Sequence, residues 1–105
     1  MRESRIEKYF VKVVKSLGGE VRKVKWIGRR NAPDRVAMFP CRTKDSVGDT
    51  FWVELKATGE GPTTGQLREH RRMRKMGQQV FVFNSIGGID KWAEEYSRSR
   101  NPPRI

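Results

Sequence analysis

Two residue types that commonly build metal and redox centres are nearly missing from this chain, which has one cysteine, Cys41, and one histidine, His70. One cysteine excludes an internal disulfide, and the two residues together fall short of a zinc site made from such ligands, so a reducing compartment fits best. Long apolar runs are missing as well. No stretch approaches the roughly 18 apolar residues of a membrane span, and the N-terminus lacks the apolar segment of an export signal. A soluble intracellular protein, cytoplasmic or nucleoid-associated and without membrane contact, is expected. Acidic residues are scarce: 12 Asp and Glu stand against 23 Lys and Arg, a formal net charge of +11. The positive residues recur along the whole chain instead of forming one tail, so the expected partner is a polyanion. Charge of this kind is shared by ribosomal and chromatin-type proteins, and does not by itself separate a binder from an enzyme.

What is present suffices for one small core. The 105 residues fit a single domain, with 35% hydrophobic residues gathered in several dense runs. Ile6, Tyr9, Phe10, Val13, Val14 and Leu17 follow the spacing of an amphipathic helix, ended by Gly18-Gly19, while Arg5, Lys8, Lys12 and Lys15 form a solvated opposite side. Residues 20–27 alternate in part and predict a strand, followed by a basic loop from Gly28 to Pro33. Arg35 to Phe39 predicts a second strand stopped by Pro40. Turn composition from Cys41 to Asp49 then leads by a hairpin into the strongest strand, residues 51–57. A helix from Thr63 to Met76 opens on Thr63-x-x-Gln66, the form of a capping box, and ends at Gly77. Val80 to Phe83 predicts a buried strand. Ile89, Trp92, Ala93 and Tyr96 predict a last helix capped near Ser85. Residues 1–97 then form one domain, and 98–105 a basic, proline-containing, flexible tail. The order α-β-β-β-α-β-α implies an α/β fold, a mixed sheet flanked by helices.

Chemistry concentrates on the strand Phe51-Trp52-Val53-Glu54-Leu55-Lys56-Ala57. Strand alternation sets Trp52, Glu54 and Lys56 on one face and Phe51, Val53 and Leu55 on the other. Opposite charges on an otherwise apolar strand need a reason, because a buried charge is costly unless paired or metal-bound. A cross-strand ion pair on a solvent face is one such reason, and a site is the other. Pro33-Asp34 at the mouth of the preceding strand favours the site, because the hairpin brings Asp34 beside Glu54 and Lys56. Two carboxylates and an amine are the set that phosphodiester hydrolysis requires: hard oxygen ligands for Mg²⁺ and a cation near the nucleophile.

Pro33-Asp34 followed by Glu54-Leu55-Lys56 resembles the PD-(D/E)xK nuclease motif. The surrounding residues narrow the resemblance: Glu7 in the first helix, Lys25-Trp26, Pro33-Asp34-Arg35, the strand around Glu54, Gln66 opening the next helix, then Gly77 and an apolar strand. This layout, from about Glu3 to Trp92, is similar to the virus-type replication-repair nuclease (VRR-NUC) domain of the restriction-endonuclease-like αβββαβ class. The resemblance implies that Asp34, Glu54 and the carbonyl of Leu55 hold Mg²⁺, with Mn²⁺ able to substitute, and that Lys56 orients or activates the attacking water. It implies that Glu7 approaches the metal through water or binds a second ion, with Glu3 one turn earlier as a competitor, and that Gln66 positions Lys56 or a metal water. Gln66 is equally accounted for by the capping box.

Lys25, Arg29, Arg30 and Arg35 are the candidate phosphate contacts, because they flank Asp34. His70, alone on a basic helix, is expected at the surface or boundary. Trp26, Trp52 and Trp92 are expected to pack in the core or on a strand face, although Trp26 beside the basic loop is within reach of DNA. The favoured reading is a structure-directed DNA endonuclease in repair or replication. So short a chain leaves little room for a base-reading domain, which favours structure-directed cutting, and by resemblance the enzyme is a homodimer that resolves four-way (Holliday) junctions. Its rivals are a non-catalytic basic nucleic-acid-binding protein and a flap nuclease or exonuclease of the same class.

Overall fold

The computed structural model describes residues 1–100. The first helix, α1 (Glu3–Ser16), buries Ile6, Phe10 and Val14, the predicted apolar stripe. It stops where Gly18 takes a φ of +88°, a left-handed turn that glycine enters without steric cost, and the Gly19 N–H returns to the Val14 carbonyl at 2.9 Å.

Strands β1 (Glu20–Lys23), β2 (Arg35–Phe39) and β3 (Asp49–Leu55) form an antiparallel meander, and β4 (Val80–Phe83) joins β3 in parallel. The order in the sheet is β1-β2-β3-β4. The parallel pairing needs a crossover, which α2 (Thr64–Lys75) supplies before α3 (Ile86–Arg100) closes the chain. The mixed, helix-flanked α/β sheet is as expected. β1 is shorter than the predicted strand of residues 20–27, because beyond Lys23 the chain keeps only one ladder-like bond, Val24 N–H to the Asp34 carbonyl. Both later helices are capped as predicted. Thr63 and Gln66 exchange the two bonds of a capping box, and the Ser85 hydroxyl accepts the Gly88 N–H at 3.0 Å.

One face of the sheet carries the core. Phe51, Val53 and Leu55 pack with Ile6, Phe10 and Val14 of α1 and with Ile89, Trp92 and Tyr96 of α3. Trp92 is the hub, within 5.8 Å of both Phe10 and Phe51 ring to ring. Trp92 is thus the core residue expected. Residues 98–100, expected in the tail, belong to α3 instead: Arg100 continues the helix and donates to the Tyr96 hydroxyl at 2.7 Å and the Pro40 carbonyl at 3.0 Å. The rest of that expected tail, 101–105, lies outside the described residues. Among the described residues no helix is long and apolar enough to cross a membrane.

Candidate active site

The Pro33-Asp34 segment is fixed by the chain that leads into it. Val24 N–H donates to the Asp34 carbonyl at 2.9 Å, and the Trp26 indole N–H donates to the Pro33 carbonyl at 2.8 Å. The hairpin register then decides what Asp34 faces. The pairing ends at Arg35 and Val53, one residue short of Asp34 and Glu54 on the two strands, and the charge of Asp34 acts on Glu54. The N–H groups of Trp52 and Lys56 donate toward β4, to Gln79 and Phe83. The backbone of Leu55 therefore points the other way, toward Pro33. Proline has no N–H to offer, so Pro33 cannot donate to the Leu55 carbonyl.

Glu54 is 7% exposed, and its Oε1 has no hydrogen-bond partner. Burial, then the carboxylate of Asp34, push its pKa up to about 7, with Glu3 adding to the effect and Lys56 and Arg35 opposing it. A carboxylate in this state is short of a cation. Among the described residues no three His, Cys, Asp or Glu side chains gather into a ready-made cage. Magnesium needs none, since it is commonly held by one or two carboxylates and keeps several waters. Two carboxylates, one of them with an orphaned oxygen, fit that ion.

Asp34, Glu54 and Lys56 converge at one end of β3, but several other expected residues do different work. Glu7 bonds Arg35 Nη2 at 2.8 Å, and that hydrogen bond lowers its pKa. Its carboxylate is already engaged, and the acid of α1 whose charge acts on Glu54 is Glu3. Arg35, expected on DNA, is only 5% exposed, held between Glu7 and the Asp34 carboxylate, the latter at 2.8 Å. It is an internal tie that anchors the Asp34 turn to α1, with its guanidinium turned away from solvent. Arg29 pairs with Glu69 of α2 through Nε at 2.9 Å, while its side chain stays 48% exposed. Lys25 and Arg30 are exposed. The Gln66 Oε1 accepts the Thr63 N–H at 2.9 Å, the capping role. The structure records no contact of Gln66 with Lys56.

His70 is the residue that sequence reasoning misplaced. It is fully buried, with Nε2 3.6 Å from Glu54 Oε1, too far for a hydrogen bond. Neither ring nitrogen has a partner, and burial, then Arg74, lower its pKa and keep it neutral. The signal was the thin apolar stripe of α2. A helix that must pack on a sheet without enough apolar residues buries polar ones, here Glu69 and His70.

No family model matches the chain. It is 44% identical over 85 residues, 81% of its length, to the "Putative nuclease p44" of Acyrthosiphon pisum secondary endosymbiont phage 1, of which it covers 85%. A solved structure described as a VRR_NUC domain superposes with a TM-score of 0.77 at 41% identity, covering 90% of this chain and 96% of that one.

Proposed function

Because the chain belongs to the VRR-NUC nuclease family, we propose that it is a metal-dependent endonuclease of branched DNA, working through Asp34, Glu54 and Lys56. The observation that carries this reading is Glu54: a buried carboxylate with an orphaned oxygen and a pKa near 7, facing a second carboxylate. Asp34, Glu54 and the Leu55 carbonyl would hold magnesium, or manganese in its place. Such an ion supplies a polarised phosphate and an acidified water. Lys56, half-buried on the same strand face, holds a positive charge where the phosphate gathers negative charge and orients the attacking water. Lys25 and Arg30, exposed around the loop that ends at Asp34, grip the neighbouring phosphates, and Arg29 adds its open side.

One such site cuts one strand, so resolving a four-way junction takes a homodimer with two sites. The test is purified protein with Mg²⁺ or Mn²⁺, offered linear, flap, single-stranded and four-way junction DNA, beside Asp34→Ala. Cleavage only with the metal, lost in Asp34→Ala while DNA binding persists, is expected. Absence of cleavage on every DNA with both metals would leave a binding protein. Twice the chain mass by light scattering and paired nicks at junctions are expected of a resolvase, whereas a monomer that cuts flaps alone refutes the junction assignment and spares the nuclease.

A further inference from the structure

A cleft of about 560 Å³ opens between the segment after β1 and α2, lined among others by Trp26, Arg29, Trp52, Arg72, Met73 and Met76. That is the size of a small-ligand site. We propose that it is a stacking pocket for one unpaired nucleobase of the substrate, a proposal that rests on the nuclease reading above.

The two indoles stand 5.2 Å apart and tilted by 46°. Each has already donated its N–H inside the protein, Trp26 to the Pro33 carbonyl at 2.8 Å and Trp52 to Gln78 at 3.0 Å. Their orientations are therefore fixed, and what they offer the cleft is aromatic surface. The rim adds apolar surface that nothing among the described residues covers: Ile27 is 93% exposed and Met76 77%. Around this floor the charge is positive. Arg29 and Arg72 share the carboxylate of Glu69, which leaves one net positive charge on the lining of the cleft. An apolar protein segment meets poorly matched cations there, whereas a nucleotide brings a flat ring for the indoles and an anion for the rim, the combination by which proteins hold single-stranded nucleic acid.

Position ties the pocket to the cut. Trp52 precedes Glu54 by two residues on the same strand face, a distance of about 7 Å, or roughly two nucleotides of duplex rise at about 3.4 Å each. A base within a duplex hides both faces against its neighbours. Only a base at a branch point, flap or single-stranded end can enter, so the pocket makes strand discontinuity part of substrate recognition.

The experiment measures binding in EDTA, which separates it from cleavage. The probes are a short oligothymidylate and an abasic strand of the same length and charge. Stacking of one base predicts that the intact strand binds about 5- to 150-fold tighter, that Trp52→Leu brings the ratio close to one, and that Trp52→Phe keeps most of it. Tryptophan emission should be quenched by the intact strand and not by the abasic one, which needs no variant to fold. Equal affinity for the two strands, or a ratio unchanged in folded Trp52→Leu, overturns the pocket. Equal affinity together with a dimer that Met76→Glu dissociates assigns the cleft to a second copy of the chain instead. A protein that cleaves with Mg²⁺ yet ignores the base loses this proposal alone, and one that selects the base but never cleaves loses the nuclease reading alone.

Discussion

The two faces of β3 use one backbone for opposite purposes. Toward α1 and α3, Phe51, Val53 and Leu55 are each at most 3% exposed and sit in a continuous aromatic and aliphatic cluster. Toward α2, the same strand presents Trp52, Glu54 and Lys56, and three of the buried polar atoms without a partner lie there: Oε1 of Glu54 and both nitrogens of His70. Apolar burial on the first face stabilises the fold by about 25 cal/mol per Å² removed from water. The second face carries desolvated polar groups that oppose folding. A site that is under-satisfied in the free chain is suited to a ligand that satisfies it, and the packed face is what allows the other to stay strained.

The sharpest way to break this contrast is to remove the charge from the second face. Glu54→Gln and Asp34→Asn should each lower metal-supported cleavage by about a thousandfold or more, since a bound metal supplies several kcal/mol of stabilisation to a phosphoryl transition state. Circular dichroism should show the fold intact, and calorimetric titration should show weakened Mg²⁺ binding. Unchanged metal affinity in both variants means that the ligands are misassigned. On the first face the same kind of change should do the reverse. Phe10→Ala, at a fully buried position, should cost about 3–5 kcal/mol of stability in urea unfolding. At temperatures where the variant is folded, its turnover should stay close to that of the parent.

The contrast also explains which features the sequence made legible. The period-3.6 stripe of α1, the alternation in β3 and the capping box at Thr63 are local patterns that the structure bears out, although β3 runs Asp49–Leu55, two residues earlier than the expected 51–57. The convergence of Asp34 with Glu54 follows from hairpin register, which a short strand, a turn and a second strand largely dictate. Partnerships between distant elements were not legible. Nothing near Arg35 in sequence tells that Glu7, on α1, will take its guanidinium, so an arginine beside the candidate aspartate Asp34 read as a phosphate contact. His70 was misplaced because periodicity locates apolar faces, and α2 packs a polar one. The end of α3 was set too early because Arg98 and Arg100 read as a basic tail, while the contacts that order Arg100 come from the β2–β3 hairpin.

A smaller effect follows from the pKa of Glu54, pushed up to about 7 from an ordinary 4.5. Between those two pH values the folded chain keeps a proton that the unfolded chain has released. The contribution of Glu54 is therefore most favourable below about 4.5 and is lost as pH rises through 7, at most about 3 kcal/mol at 1.36 kcal/mol per unit. Glu7, with its pKa lowered by Arg35, acts in the opposite direction below 4.5, and His70, with its pKa lowered by burial, opposes Glu54 only below 6.5, so the Glu54 effect stands alone above that pH. Metal-free protein should melt lower at pH 8 than at pH 5.5, and Glu54→Gln should flatten that slope. Added Mg²⁺ should raise the melting temperature more at pH 8, where it competes with no proton. A larger Mg²⁺ shift at pH 5.5 contradicts a carboxylate ligand with this pKa.

The smallest expected effect separates two arginines that look alike in sequence. Arg30 is exposed on the loop before Asp34, whereas Arg35 is buried between Glu7 and Asp34. An exposed cation on a phosphate releases about one counterion, so Arg30→Ala should reduce the slope of log affinity against log salt by about one and leave stability nearly unchanged. Its DNA binding should weaken to a similar degree on every sequence. Arg35→Ala removes one partner from a buried pair and leaves Glu7 without its hydrogen bond, a change that costs about 3 kcal/mol of stability. Its salt slope, measured on the folded fraction, should match that of the parent, because the guanidinium never faced solvent. The two variants thus test where the boundary between the packed face and the working face runs. If Arg35→Ala lowers the salt slope and spares stability, Arg35 swings out to DNA when the substrate arrives, and the tie to Glu7 is a resting state instead of a fixed part of the scaffold.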